Sequence, residues 1–443
     1  MDYTGKHAAV LGLGRSGEAA ARLLLDSGAR VTVLDSGDPA PRRDTAELLS
    51  SRGARVVLGN DALRCVQEFD FAVLSPGIDP GVPLALRPVE AGIPLLGEIE
   101  LAFRSCRCPV VAVTGTNGKT TTTGLTAALL GAAGLRAEAC GNIGLPFSEV
   151  AARSASLDAV VVEISSFQLE TIDTFHPRVA VWTNFSANHL DRYPDAAAYR
   201  AAKLRIFDRQ TADDYAVVNA CAELPALRAR RVTFTAARAV EADFTLGAGD
   251  MILHRGAPVI ALSETRLRGP HNAENLMAAL GAGWSLGADL SSMLSGARAY
   301  APPPHRCEFV REIGGVTWIN DSKSTNLDAL TQALRGQTGG VVLMAGGKNK
   351  GFDFAPVADL VAERAHDAVL IGEMRESIAR DWAAGVPCHP VGSLEDAVAR
   401  AHELARPGDT VLFSPGTSSF DMFRSYEERG DLFRQLIHQL QPR

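Results

Sequence analysis

The sequence predicts an α/β protein of three domains, and three observations lead there. Its 443 residues correspond to about three domains at roughly 150 residues each. Short apolar strands alternate with helix-period stretches, the pattern of a parallel sheet covered by helices. Two glycine-rich turns each follow a strand and open a helix, as nucleotide-phosphate loops do. These features predict a Rossmann-like domain over residues 1–97, a central P-loop domain of the ATPase type with a parallel sheet over 98–303, and a second Rossmann-like domain over 304–443.

The elements follow in order. His7–Leu11 and Arg30–Leu34 read as buried strands with a helix over Glu18–Leu25 between them; Val56–Leu58 and Phe71–Leu74 continue the alternation. The second region opens with strand Pro109–Val113 and a helix from about Lys119 to Ala133. Strands at Ala159–Ile164 and Val179–Thr183 and a helix over Ala196–Phe207 come next. Short strands fill 215–262, and helices over Ala273–Leu286 and Leu290–Ala299 close the region. Pro302-Pro303-Pro304 reads as a stiff linker, because consecutive prolines cannot continue a helix. Beyond it come a hairpin, Phe309–Ile313 with Val316–Ile319, and strands at Val341–Ala345, Ala368–Ile371 and Thr410–Phe413. Helices at Val357–Arg364, near Glu376–Ala383 and near Leu394–Ala405 separate them.

Composition excludes several classes. Net charge is −7, whereas a general nucleic-acid binder is basic. No apolar run approaches the roughly 18 residues of a membrane helix, and no secretory leader is visible, so a cytoplasmic protein without membrane insertion is expected. Seven scattered cysteines form neither a disulfide framework nor a zinc spacing, and read as reduced thiols.

The strongest motif is Gly115-Thr116-Asn117-Gly118-Lys119-Thr120 between a strand and a helix. Its backbone N–H groups can cradle phosphate oxygens, Lys119 can reach the β- and γ-phosphates, and the Thr120 hydroxyl can ligate Mg²⁺. Glu163 ends a buried strand, and His189 follows the next; both face the crevice where such sheets bind ligands. Gly12-Leu13-Gly14-Arg15-Ser16-Gly17, with Asp35 ending the second strand, is a nucleotide fingerprint that does not say which nucleotide.

Helical spacing puts Lys203 on an apolar face with Tyr199, Ile206 and Phe207. Such a lysine snorkels to water, pairs, or loses its charge, and a neutral amine can take up CO₂ as a carbamate, an oxygen ligand suited to Mg²⁺. In the third region, Asn320–Asn326, Lys348 with Lys350, and Ser414–Ser419 follow three strand ends, which converge on one rim fit for a small carboxylate.

Taken together, the chain resembles the Mur ligase family over essentially its whole length, and most closely the D-glutamate-adding branch. The markers are GLGRSG (12–17), SPGI (75–78), TGTNGKTT (114–121), GNIG (141–144), VEISSFQLE (162–170), NHLDRY (188–193), YRAAKL (199–204), PHNAEN (270–275), HRCE (305–308), NDSKSTN (320–326) and SPGTSSFDMF (414–423). The resemblance implies an ATP-dependent amide ligase that adds D-glutamate to UDP-N-acetylmuramoyl-L-alanine through an acyl phosphate, in the cytoplasmic stage of peptidoglycan synthesis. It implies a UDP-sugar site at Arg15, Ser16, Asp35, Ser36, Ser75, Gly77, Asn142, Ser165 and Gln168. ATP falls to Gly115, Thr116, Asn117, Gly118, Lys119, Thr120, Thr121, Asn275, Arg306 and Asp321. Two Mg²⁺ ions fall to Thr120, Glu163, His189 and a carbamylated Lys203, and D-glutamate to Lys323, Thr325, Lys350, Ser419 and Tyr426. Lys119, His189 and Lys203 are the implied catalytic groups, the Pro302–Pro304 link the implied hinge, and a monomer the implied state. Tyr426 stands where this branch often has Phe. The alternatives are another amino-acid ligase of the family or of the folylpolyglutamate type, which GLGRSG and SSFDMF weigh against, and a nucleotide-binding oxidoreductase or P-loop switch.

Overall fold

The computed structural model describes residues 3–65, 68–186, 192–237, 240–302, 304–337, 339–349, 351 and 353–442, with residue 328 by its backbone alone. The chain folds into two compact units, Met1–Thr265 with Ala273–Tyr300, and Arg266–Asn272 with Ala301–Arg443. Among the described residues no helix is long and apolar enough to cross a membrane.

The first unit carries two sheets. One is formed by β1 (His7–Leu11), β2 (Arg30–Asp35), β3 (Arg55–Leu58), β4 (Phe71–Leu74) and β5 (Leu95–Gly97) in the order β3-β2-β1-β4-β5. Every pairing is parallel, so both faces are covered, and the central strands β1 and β4 are buried along their whole length. The order is the Rossmann half-sheet, whose ligand crevice lies beyond the carboxyl ends of β1 and its neighbours.

The other sheet runs through β6 (Val110–Thr114), β7 (Ala137–Gly141), β8 (Ala159–Glu163), β9 (Val179–Trp182), β10 (Tyr215–Asn219), β11 (Arg230–Thr235), β12 (Phe244–Leu246), β13 (Met251–His254) and β14 (Ala257–Ala261). Their order is β14-β13-β12-β11-β10-β9-β6-β8-β7. The sheet expected to be parallel is mixed, because β13 and β14 turn back as antiparallel hairpin strands at one edge. Neighbours of β6 are β8 on one side and β9 on the other, so the strand order reverses there. That reversal opens a crevice at the carboxyl end of β6, where the glycine-rich loop begins.

The second unit holds β15 (Glu308–Ile313), β16 (Val316–Asn320), β17 (Val341–Gly346), β18 (Ala365–Ile371), β19 (Cys388–Pro390) and β20 (Thr410–Phe413), in the order β15-β16-β20-β17-β18-β19. The β15–β16 hairpin is antiparallel and the rest parallel. Since β16, β20 and β17 are adjacent, their three following loops share one rim, as the polar strand ends predict.

Several elements differ from expectation. The helix expected over Ala196–Phe207 is α-helical through Leu204 and then tightens to a 3₁₀ turn, Arg205–Phe207. The strand Ala137–Gly141 and the helices Glu98–Ser105, Leu327–Arg335 and Tyr426–Gln439 have no counterpart in the sequence reading.

Glu100, on helix Glu98–Ser105, is wholly buried. It accepts hydrogen bonds from the backbone N–H groups of Asp173, Thr174 and Phe175 at 2.9–3.0 Å and from Arg104 Nε at 2.7 Å. Burial pushes its carboxyl up, but the Asp173 and Thr174 donors outweigh that and hold it below the ordinary value of 4.5. Its stabilisation is therefore present above the unfolded value and lost as pH falls through the folded one. Glu100→Gln is expected to lower unfolding free energy by about 2 kcal/mol at neutral pH, with the gap to wild type closing below about pH 4.5. Urea denaturation at pH 7 and pH 4 measures both.

Candidate active site

The loop after β6 takes the shape its glycines permit. Gly115 and Gly118 have φ of +145° and +79°, which L side chains rarely adopt. A Cβ on Gly115 would collide with Thr183 Oγ1, and one on Gly118 with Asn275 Oδ1. The loop is held from outside: Asn117 N–H donates to Asn184 Oδ1 at 2.9 Å, and the Asn117 carbonyl accepts from Thr183 Oγ1 at 2.7 Å and Asn184 Nδ2 at 3.1 Å. Thr183 and Asn184 were not among the expected site residues. Their signal is a polar pair directly after a buried strand.

Lys119 opens the helix Lys119–Ala132, and its Nζ donates to the carbonyl oxygens of Thr116 at 2.7 Å and Gly115 at 3.1 Å. Thr120 Oγ1 donates to Glu163 Oε2 at 2.7 Å, and Asn142 Nδ2 to Glu163 Oε1 at 2.9 Å. Glu163 is buried at the end of β8. Asn275 Oδ1 accepts from Thr122 Oγ1 at 3.3 Å, on the helix that follows the loop. Thr121 is buried on the same helix.

Lys203 is 1% exposed, as are its helix neighbours Tyr199 and Ile206 to within a percentage point, so it does not snorkel. Its Nζ donates to the Gly115 carbonyl at 2.7 Å and lies 4.7 Å from the Tyr199 ring centroid. The same carbonyl thus receives both Lys119 and Lys203. Burial drives the Lys203 amine well below its ordinary value, the Lys119 charge adds to this, and the Glu163 carboxylate opposes it. His189 lies outside the described residues.

At the first sheet, Arg15, Ser16, Asn142 and Gln168 line one cleft. Ser75 donates to the Gly12 carbonyl at 3.1 Å and lines an adjoining pocket with Gln168. Ser165 caps the short helix Ser166–Leu169 reciprocally with Gln168. The Asp35 carboxylate accepts from the N–H groups of Leu13 at 2.6 Å and Gly37 at 2.8 Å and from Arg42 Nε at 2.9 Å. It therefore organises the two loops around it; Ser36 and Gly77 beside these loops are exposed.

In the second unit, Asp321 is buried beyond β16 and accepts from Ser414 Oγ at 2.8 Å and Cys307 N–H at 3.1 Å. Burial pushes its carboxyl up to about 6, against the Ser414 and Cys307 hydrogen bonds and the Arg306 charge. Arg306 sits between His305 and Cys307, two non-glycine residues with φ of +65° and +43°. Lys323 Nζ stands 3.6 Å over the centroid of the Tyr426 ring. Thr325 is half-buried on the same loop, and Ser419 is buried on the loop after β20. Lys350 lies outside the described residues. Arg429, absent from the expected set, ties this rim together. It is 1% exposed, and its guanidinium donates to Ser322 Oγ at 3.0 Å, the Ser322 carbonyl at 2.8 Å and the Thr417 carbonyl at 3.3 Å. Burial lowers it to about 10. The sequence signal that places it is Ser425-x-x-Glu428, a helix start that turns Arg429 inward.

Comparison with known proteins follows this geometry. The family model described as Mur ligase MurD-like, N-terminal domain, matches residues 6–97; Mur ligase middle domain matches 113–283; and Mur ligase, glutamate ligase domain, matches 305–416. A protein of Geotalea uraniireducens named UDP-N-acetylmuramoylalanine--D-glutamate ligase is 43% identical over 451 aligned positions, covering 99% of each chain. One of Syntrophotalea carbinolica with the same name is 41% identical, again over 99% of each. The crystal structure of UDP-N-acetylmuramate-alanine ligase from Thermotoga maritima shares the fold at a TM-score of 0.61 and 18% identity, covering 98% of this chain and 99% of that one. With its three domain models matched in order and two such relatives aligned end to end, the chain belongs to the Mur ligase family.

Proposed function

We propose that the chain is the ATP-dependent ligase that joins D-glutamate to UDP-N-acetylmuramoyl-L-alanine, a step of peptidoglycan synthesis. The names of the full-length relatives support the substrates. The observation that carries the chemistry is the cluster at the β6 loop: Thr120 and Glu163 in contact at 2.7 Å, beside two lysines on one carbonyl.

The reaction begins when the alanyl carboxylate attacks the γ-phosphate of ATP, giving an acyl phosphate and ADP. The D-glutamate amine then attacks the acyl carbon, and phosphate leaves. Two anions must meet in the first step, so positioning and charge compensation dominate. Loop N–H groups and the start of helix Lys119–Ala132 hold the triphosphate, with Lys119 turning from the Gly115 and Thr116 carbonyls to the phosphate oxygens. Asn275 is assigned to the nucleotide, and Arg306 and Asp321 join it by their place in the sequence. Arg15, Ser16, Asn142 and Gln168 bind the UDP-sugar in their shared cleft. Lys323, Thr325, Ser419 and Tyr426 take the amino acid, with Lys323 held over the Tyr426 face for one of its carboxylates. Lys350 joins this set by its place in the sequence.

The Thr120 hydroxyl and Glu163 carboxylate are hard oxygen donors in contact at the phosphate-loop helix, and they fit Mg²⁺. His189 joins them by its place in the sequence. When bound, Mg²⁺ supplies positive charge against the phosphate and carboxylate oxygens. Lys203, buried with a depressed amine, is set to add CO₂: the neutral amine nitrogen bonds to carbon, one proton leaves, and an anionic carbamate takes the place of the uncharged amine beside Lys119. That anion would add oxygen ligands to the Mg²⁺ set of Thr120, Glu163 and His189. The chain acts as a cytoplasmic monomer.

Purified protein with ATP and UDP-N-acetylmuramoyl-L-alanine is expected to release phosphate only when D-glutamate is added. Equal release with L-glutamate, or release without any amino acid, overturns the assignment. Lys203→Ala is expected to lose on the order of 100-fold or more in kcat/KM and to recover part of it with added acetate. Full activity of that variant removes the carbamate from the mechanism.

A further inference from the structure

Away from the ligase site, one pair of side chains carries chemistry that the reaction does not use. Cys106-Arg107-Cys108-Pro109 links helix Glu98–Ser105 to β6, the strand that ends in the phosphate loop. Cys106 Sγ lies 3.9 Å from Cys108 Sγ and 3.5 Å from the Cys108 carbonyl oxygen. Both thiols are half-buried. Cys108 also lines a cavity of about 400 Å³ with Phe103, His176 and Asp214, a space that a small oxidant can enter beside the pair. Two other cysteines mark the extremes of burial. Cys140 is fully buried, and the exposed Cys221 has its sulfur against the Thr235 hydroxyl at 3.4 Å.

We propose that Cys106 and Cys108 form a dithiol modification site for hydroperoxides, with Cys106 the attacking thiolate and Cys108 the resolving thiol. The side-chain contact with Cys108 lowers Cys106 to about 6, with the Cys108 backbone and the Ser154 hydroxyl adding to this against burial. The same contact and burial push Cys108 up. The pair thus favours Cys106 over Cys108 for losing its proton, the division of roles that disulfide formation needs. In the first step the Cys106 thiolate attacks one peroxide oxygen, the O–O bond breaks, and the sulfenic acid forms with release of hydroxide, or alkoxide from an organic hydroperoxide. In the second, Cys108 sulfur attacks the Cys106 sulfur and water leaves, carrying the Cys108 proton. With hydrogen peroxide, the net change is two thiols and one peroxide to one disulfide and two waters. The two sulfurs are oxidised by two electrons and the peroxide is reduced. Closure brings the sulfurs together by roughly 2 Å, within reach of side-chain rotation and a small shift of the link.

The test treats the full-length native protein with a few equivalents of hydrogen peroxide, blocks free thiols, and maps tryptic peptides without reduction. Because Arg107 lies between the cysteines, trypsin separates them, and only a disulfide keeps residues 105–107 joined to 108–119. That linked pair, released by dithiothreitol, is the expected product, formed before Cys221 is modified. Cys108→Ser is expected to stop at a Cys106 sulfenic acid trapped by dimedone, and Cys106→Ser to slow Cys108 oxidation about tenfold or more. Oxidation of Cys221 with both thiols still free overturns the proposal. So does Cys106 paired to Cys140 or to another chain, or a Cys108 rate unchanged by Cys106→Ser.

Discussion

One carbonyl oxygen organises the candidate active site. Gly115 O receives both Lys119 Nζ and Lys203 Nζ, and Lys203 is buried there. Two unit charges about 4 Å apart repel by about 4 kcal/mol at an effective dielectric near 20, and desolvation adds to the cost of a second ammonium. The arrangement is stable only where one lysine surrenders its charge, and the buried one is the candidate. Lys119, at the helix start, keeps the charge that a triphosphate calls for. The glycine conformations at 115 and 118, the Thr183–Asn184 brace and the Thr120–Glu163 contact all serve to present that oxygen and the amides around it.

The same logic of strand ends operates in each sheet. In the central sheet, β8, β6 and β9 are adjacent, so Glu163, the phosphate loop and Thr183 arrive together although they are far apart in sequence. In the first sheet, β2, β1 and β4 bring Asp35, the Gly12 turn and Ser75 together. Asp35 there spends its carboxylate on backbone amides and Arg42, which makes it a scaffold for the loops. Anionic ligands at such rims need few cations, because backbone N–H groups supply much of the positive potential. A net charge of −7 is therefore no obstacle to handling acidic substrates.

In the second unit the rim depends on a buried cation that no substrate argument would single out. Arg429 joins the loop after β16 to the loop after β20 through Ser322 and Thr417. Removing its charge would leave two carbonyls and a hydroxyl without their donor in a dry site. Tyr426, three residues earlier on the same helix, holds the Lys323 ammonium by its ring face. The phenol in place of the branch's usual phenyl ring leaves that face intact.

Periodicity and motif spacing were enough to determine the α/β class, most strands and helices, the phosphate loop with Lys119 and Thr120, and the apolar face that carries Lys203. These are local properties: strand and helix periods, glycine dihedrals and residue order are written within a few neighbours. The family resemblance rested on the same kind of short motifs. What the tertiary structure alone decided is which distant groups meet. Arg429 stands in a charged segment whose helix start turns it inward, and the loops 12 and 107 residues away supply the carbonyls and hydroxyl that bury it. Asn184 reads as a turn residue until the phosphate loop folds onto it, 67 residues away. Even between near neighbours the backbone path decides: Cys106 and Cys108 read as two of seven scattered reduced thiols, until the bend before β6 brings their sulfurs to 3.9 Å. The sharing of Gly115 by two lysines 84 residues apart, the interaction on which the site's charge state turns, required the sheet order itself.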